Sequence, residues 1–367
     1  MNQLNEEVSH KLELIRSALA ETEASALRLR GTDWFCWATA GGSSTVLLTA
    51  ETGVGEVLVT PEDAWVLTDE IEGQRLKDEE LSENFKVHTN PWADGAERES
   101  FVREVTNGGK VLSDRPIPHV EKRLPASLQQ HKRVMMSSEV ERYREVGRKA
   151  SEAMTEVLRA AKPTWTEYQL AGAGAEALWA RGIHPALTLV AGERRLPLYR
   201  HATATGEAIG RQAMLVFCAR GYGLYANLTR FVSFGSLGHE HAELHRHVRE
   251  IEAQTLNLCK PETSLDAVYH ALAQAYEQHG FPNAIREHHQ GGTTGYLARE
   301  VVANPTTTTD TLAENMALAW NPSLTGAKIE DTFVILKDGK LENLTFDPNW
   351  PSVEVEGRQR PVPLEVE

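Results

Sequence analysis

The sequence is poor in cysteine, in long apolar runs and in net positive charge, and each shortage excludes something. Three cysteines (Cys36, Cys218, Cys259) in 367 residues make no disulfide framework and point to a reducing, cytoplasmic compartment. No apolar run approaches the ~18–20 residues of a membrane span, so no membrane partner is expected. The first residues, MNQLNEEVSHKLELIRSALAETEA, lack the basic and apolar regions of a signal peptide. Lys plus Arg number 38 against 52 Asp plus Glu, a net charge of −14. Such a chain repels phosphates, which excludes nucleic acid as a partner. A local shortage is the most informative: there is no Asp or Glu from Ala208 through His239, and none between Glu314 and Glu330.

What is present is ordinary for a globular protein, with 41 % apolar and 25 % charged residues. At roughly 100–200 residues per domain, the length implies two domains. Over 1–132, helical spacing at about Glu6–Ala24 precedes short extended runs at Trp34–Ala40, Thr45–Thr49, Glu56–Thr60 and Ala64–Leu67. A helix at Asp69–Asn84, a strand at Phe85–His88, a helix at Ala96–Thr106 and a strand at Lys110–Ser113 follow. This alternation predicts a small α/β domain with a parallel or mixed sheet. Gly41-Gly42-Ser43-Ser44 is too short for a nucleotide fingerprint.

Over 133–345, Ser137-Ser138-Glu139 is an N-cap signal for a long amphipathic helix, and Thr164–Glu167 caps the next. Strands are predicted at Pro185–Gly192, Met214–Ala219, Ile285–His289, Glu300–Val302, Ala317–Asn321 and Thr332–Leu336, with helices at about Glu240–Cys259 and Ser264–Gly280. Prolines 348, 351, 361 and 363 mark residues 346–367 as a surface or disordered tail.

Four segments of the second half stand in a telling order: Tyr199-Arg200-His201-Ala-Thr-Ala-Thr-Gly206; Leu224-Tyr-Ala-Asn227-Leu-Thr-Arg230; His288-His289-Gln-Gly-Gly292-Thr-Thr-Gly295; and Asn315 to Asn321-Pro322, followed by Lys328-Ile-Glu330-Asp-Thr332. From about Ser137 to Leu341 this order resembles the pita-bread metallopeptidases, which include Xaa-Pro aminopeptidase, prolidase, methionine aminopeptidase and the metal-free creatinase. The resemblance implies an α+β protein: a creatinase/prolidase-like amino-terminal α/β domain, then a pita-bread domain, in a homodimer. It also implies two divalent ions held by two aspartates, one histidine and two glutamates. His289 and Glu330 stand at two of those places. Asn227 stands at the second aspartate, Asn321 at the other glutamate, and Cys218 within a residue or two of the first aspartate.

Two divalent ions a few ångströms apart repel, and carboxylates must neutralise them. A neutral amide does not, so no paired metal cofactor is expected. A single Zn²⁺ on Cys218, His289 and Glu330 stays open as an alternative, since all three are zinc ligand types. The remaining groups with chemistry are His201, His289 and Glu330 as catalytic candidates, with His201 poised by its ordinary pKa to move protons. Arg200, Arg220, Arg230 and His288 are candidates for substrate binding. Arg194, Arg195 and Arg211 extend this arginine population, which has no compensating acid after Glu207 in its own stretch. These guanidinium groups are expected to replace the metal charge, by pairing with Glu330 or by binding an anion. Without metal, Glu330 is also free to pair with Arg230 or Lys328. The first functional expectation is therefore a prolidase- or aminopeptidase-P-like hydrolase of short peptides or small amides, working without metal or with one ion. The alternative is a non-catalytic binding module for a small anionic ligand or peptide, and ordinary two-metal Xaa-Pro hydrolysis ranks last.

Overall fold

The computed structural model describes residues 3–367. The chain divides into two compact units, 1–139 and 140–367. Among the described residues no helix is long and apolar enough to cross a membrane.

The first unit contains α1 (Gln3–Thr22), β1 (Ala26–Gly31), α2 (Thr32–Ala38), β2 (Thr52–Val59), β3 (Ala64–Asp69), the short α3 (Gly73–Arg75), β4 (Lys86–Asn90), α4 (Gly95–Val105), β5 (Val111–Ser113), β6 (Glu121–Arg123) and α5 (Ala126–Arg133). Its sheet runs β4-β3-β2-β1-β5-β6. The β1/β2 and β2/β3 pairs are antiparallel, and the other three are parallel. This is the mixed sheet that the alternation predicted. Three local expectations fail. Trp34–Ala40 belongs mostly to helix α2, not to a strand. Every residue of α2 is buried, so the segment shows neither helical nor strand periodicity and its aromatic content misleads. Trp34 and Trp37 meet edge to face at 5.4 Å, one helical turn apart. Residues 45–49 form no strand, and the helix expected over Asp69–Asn84 shrinks to α3 and one π-helical turn at Leu76–Glu80.

The second unit takes in most of α6 (Ser137–Ala160), then α7 (Glu167–Trp179), β7 (His184–Gly192), β8 (Gln212–Gly221), β9 (Leu224–Phe234), α8 (His239–Leu258) and α9 (Leu265–Gln278). Thr166 and Gln169 close a reciprocal capping box at the start of α7. A second set of strands follows: β10 (Gly291–Thr294), β11 (Val301–Val302), β12 (Ala317–Trp320), β13 (Ser323–Leu324), β14 (Ala327–Lys328), β15 (Asp331–Ile335) and β16 (Leu341–Asn343), then β17 (Ser352–Val355), β18 (Arg358–Pro361) and β19 (Leu364–Val366). Two main sheets result, ordered β19-β9-β8-β7 and β11-β10-β12-β15-β16. A bridge between Thr229 of β9 and Glu330, the residue before β15, links them. Buried Leu256, Leu272, Tyr276, Leu318, Trp320 and Phe333 join α8 and α9 to the second sheet.

Two departures matter here. Ile285–His289 is not a strand; it forms a 3-10 turn at Ala284–Arg286 and an irregular entry to β10. The proline-rich end is built into the fold rather than lying as a loose tail. β17 and β18 form a hairpin around Glu356 and Gly357, both at positive φ, the backbone that two-residue hairpin turns favour. β19 pairs parallel with β9. Arg360 is fully buried and donates to both oxygens of Glu252, each at 2.7 Å. Pro351, Pro361 and Pro363 sit just before or at the ends of these strands, where the missing N–H costs no ladder bond, and Pro348 lies in a turn.

Candidate functional site

The sequence-derived residues all lie in the second unit. His201 lies in the loop between β7 and β8, and His288 and His289 lie at the entry to β10. Gly292 explains the spacing after His289: its φ is +156° and a Cβ there would stand 2.0 Å from the Val301 carbonyl oxygen. Only glycine lets β10 fit between its neighbours and so fixes where the two histidines emerge.

The three imidazoles form one cluster. His201 Nε2 and His288 Nε2 are 2.8 Å apart, so one donates and the other accepts. The His288 and His289 rings stack with centroids 4.5 Å apart. One ring nitrogen from each of the three lies within 4.8 Å of the others, which makes them a possible ligand group for an ion. Burial, reinforced by Lys328 and the neighbouring rings, lowers the His288 pKa to about 2. Burial and then Arg299 lower that of His289 to about 4. Burial first and Lys328 next lower that of His201 as well. All three are neutral imidazoles near pH 7.

Glu330 faces the same cluster. Burial by itself would raise its pKa, but Lys328 and Arg299 outweigh burial and hold the carboxyl at about 2. Arg299 Nη2 donates to Oε1 at 2.5 Å, Thr229 Oγ1 donates to Oε2 at 3.0 Å, and Lys328 Nζ lies 3.6 Å from Oε2. The expected pairing with Lys328 is therefore present. Arg230 does not contact the carboxylate: its Nη1 donates to the Glu330 carbonyl oxygen at 3.2 Å and its Nη2 to Asp331 Oδ1 at 2.7 Å. The guanidinium on Glu330 belongs to Arg299, a residue the sequence reading missed. Its one signal is that it is the first charge after nine uncharged residues from Gln290 to Ala298.

Cys218 and Asn227 are register partners on β8 and β9. Burial, and then the Glu330 charge, push the Cys218 thiol up to about 12. Asn227 is fully buried, and its Nδ2 donates to Thr294 Oγ1 at 3.0 Å. The backbone N–H of Asn321 donates to the Gln290 carbonyl at 3.1 Å. The Oδ1 atoms of both asparagines are buried and accept no hydrogen bond among the described residues. Such orphaned acceptors cost free energy unless something else satisfies them.

The rest of the arginine run is spoken for. Arg194 pairs with Glu207, Arg195 with Glu167, Arg200 with Glu287 and Arg211 with Glu193. The Arg220 guanidinium lies over the Tyr225 ring at 5.5 Å. Glu193 and Glu207 flank the arginines in the same stretch, while Glu167 and Glu287 come from α7 and the entry to β10, so the apparent local excess of positive charge is largely neutralised in space.

A sequence profile of metallopeptidase family M24 matches residues 141–337. None of the curated proteins compared with the chain matches it. Among solved structures, the Xaa-Pro dipeptidase from Bacillus anthracis aligns with a TM-score of 0.77 at 18 % identity, covering 98 % of this chain and all of that one. The prolidase from Pyrococcus horikoshii OT3 gives 0.77 at 17 %, covering 92 % and 98 %. The N-terminal domain of the FACT complex subunit SPT16 from Cicer arietinum gives 0.72 at 14 %, covering 94 % and 97 %. At these identities the structural likeness establishes the fold alone: an amino-terminal domain followed by a pita-bread domain. The profile match spans more than half the chain, and with it the chain belongs to metallopeptidase family M24.

Proposed function

We propose that this chain keeps its family's pocket as a binding site for a short peptide or small carboxylate, and holds it without a pair of divalent ions. The observation that carries this reading is the ion pair between Arg299 and Glu330 at 2.5 Å, with Lys328 alongside. Paired divalent ions need anionic and preferably bridging ligands. Here the one carboxylate in the donor set is already neutralised by two resident cations. Asn227 and Asn321 offer uncharged oxygens, and Cys218 offers a single thiol in place of a carboxylate. The donor set does not fit two metal ions.

The same groups suit a peptide. Arg299 and Lys328 carry two positive charges against the single negative charge of Glu330, which favours a carboxylate. The unpartnered Oδ1 atoms of Asn227 and Asn321 favour N–H donors. A short peptide supplies both. Metal analysis and calorimetry with X-Pro dipeptides test this: binding in the presence of EDTA, without cleavage and without two equivalents of bound metal, is expected. Two equivalents of Mn or Zn per chain, with cleavage abolished by EDTA, would contradict it.

The contact between His201 and His288 favours a second reading, a hydrolase working without metal or with one ion, since a neutral imidazole can accept a proton. EDTA-resistant cleavage lost in His201→Ala would select that reading. Ordinary two-metal hydrolysis is the reading these side chains support least.

A further inference from the structure

Away from the pocket, α8 and the end of α9 bring together His247, Glu250 and His279. His247 and Glu250 are three residues apart and share one face of α8, while His279 caps α9. Their ligand atoms all lie within 4.8 Å of one another. His247 Nδ1 and His279 Nδ1 are 2.9 Å apart, and His279 Nδ1 is 3.7 Å from Glu250 Oε2. We propose that His247, Glu250 and His279 form a binding site for one transition-metal ion, with zinc the best match.

Two imidazoles and one carboxylate are a zinc donor set, and bonds of about 2.0–2.1 Å in a tetrahedron put ligand atoms about 3.3 Å apart. The separations of 2.9 and 3.7 Å bracket that value and the third is within 4.8 Å, so small side-chain rotations suffice. The geometry leaves a fourth position for water. The two Nδ1 atoms now face each other, so one must carry a proton. Ligation of both requires that proton to sit on Nε2 instead, a tautomer change that releases no net charge. Gln254 stands ready for that state, with its side-chain amide 3.4 Å from His279 Nε2; turned over, its oxygen accepts the Nε2–H.

The competitor is Arg246. It donates to both Glu250 oxygens, at 2.8 and 2.7 Å, and to Glu243, and its Nη2 lies 3.5 Å from His247 Nε2, so the ligating tautomer of His247 requires Arg246 to swing aside. Its side chain is 42 % exposed, and exposed pairs of this kind contribute little. An ion can take Glu250 while Arg246 keeps Glu243. The site also has somewhere to act. His279 is followed by Gly280 and Phe281, which line a cavity of about 470 Å³ that reaches Arg200 and Glu287. The segment then runs on to His288 and His289. An ion clamping His279 to α8 fixes the start of the segment that carries the pocket histidines.

The test is Zn²⁺ titration of the full chain, followed by anomalous scattering at the zinc edge. One equivalent is expected at this site. His247→Ala and His279→Ala should each weaken binding at least tenfold, Glu250→Gln should weaken it, and Arg246→Ala should tighten it. Glu250→Gln changes a surface group and carries the test even if a histidine variant misfolds. His288→Ala separates this site from the pocket and should leave the affinity unchanged. Absence of zinc binding, binding indifferent to Glu250→Gln and His247→Ala, or binding lost in His288→Ala would overturn the proposal. None of these outcomes depends on whether the pocket binds peptide.

Discussion

Glu330 and Asp331 are consecutive carboxylates, each almost fully buried, yet they belong to two different regions. Asp331 opens β15 and sits in a buried ion network: Arg230 at 2.7 Å, Arg360 at 2.9 Å, and Thr345 Oγ1 donating at 2.6 Å. Arg360 in turn binds Glu252, tying the last strands to α8. Glu330 points the other way, as alternation along extended chain dictates. It meets Arg299 and Lys328, and its charge is felt by His201, His288 and His289. The Asp331 network joins β9, β15, β18 and α8 and is structural, even though Asp331 Oδ2 and Arg360 Nη1 make no hydrogen bond among the described residues. Glu330 ties no such set of elements together, and its cations and the nearby imidazoles are the groups that suit a ligand.

Breaking the Asp331 network should have the largest effect. Arg360→Met leaves Glu252 buried without its guanidinium while Asp331 keeps only Arg230, and removing one member of such a buried pair costs about 3–5 kcal/mol. Chemical denaturation measures this; a loss under about 1 kcal/mol would remove the distinction between the two regions. Arg299→Met should cost less, about 1.5–3 kcal/mol for a lost hydrogen bond to a charged group, because Lys328 and Thr229 remain on Glu330. It should also raise the Glu330 pKa and abolish binding of a carboxylate ligand by calorimetry, whereas Arg360→Met, if folded, should retain it.

A pH series sharpens the comparison further. His288 has a folded pKa of about 2, while in an unfolded chain it titrates near 6.5. Below about 6.5 the unfolded chain therefore takes up more protons, and the stability contributed by the neutral ring is lost as pH falls. Glu330, also held at about 2, acts in a lower window: its contribution is complete above about 4.5 and is lost as pH falls towards 2. His288→Gln should flatten the decline from pH 6.5 down towards 2, leaving only the part below about 4.5 that Glu330 contributes. The smallest effect belongs to Arg211→Ala. Its pair with Glu193 lies in solvent, so no measurable change in the unfolding midpoint is expected.

The order of the four motif segments made the fold legible in the sequence, because four weak motifs in one order with plausible gaps are together far more specific than any one of them. The histidine cluster was legible for the same reason. Arg299 was not, since nothing in the sequence says which distant cation folds onto a given carboxylate. The arginine run misled in the opposite direction: its acids, Glu167, Glu193, Glu287 and Asp331, lie outside the acid-free stretch. The all-buried helix α2 and the hairpin of β17 and β18 were missed because burial on every side erases periodicity and because prolines at strand ends read as breakers.

The most direct test of the central claim is anomalous scattering from crystals soaked in Mn²⁺. With Glu330 held by Arg299 and Lys328, no manganese pair should appear between His289 and Glu330, and Arg299 should remain on the carboxylate. Two occupied sites there, with Arg299 displaced, would contradict it.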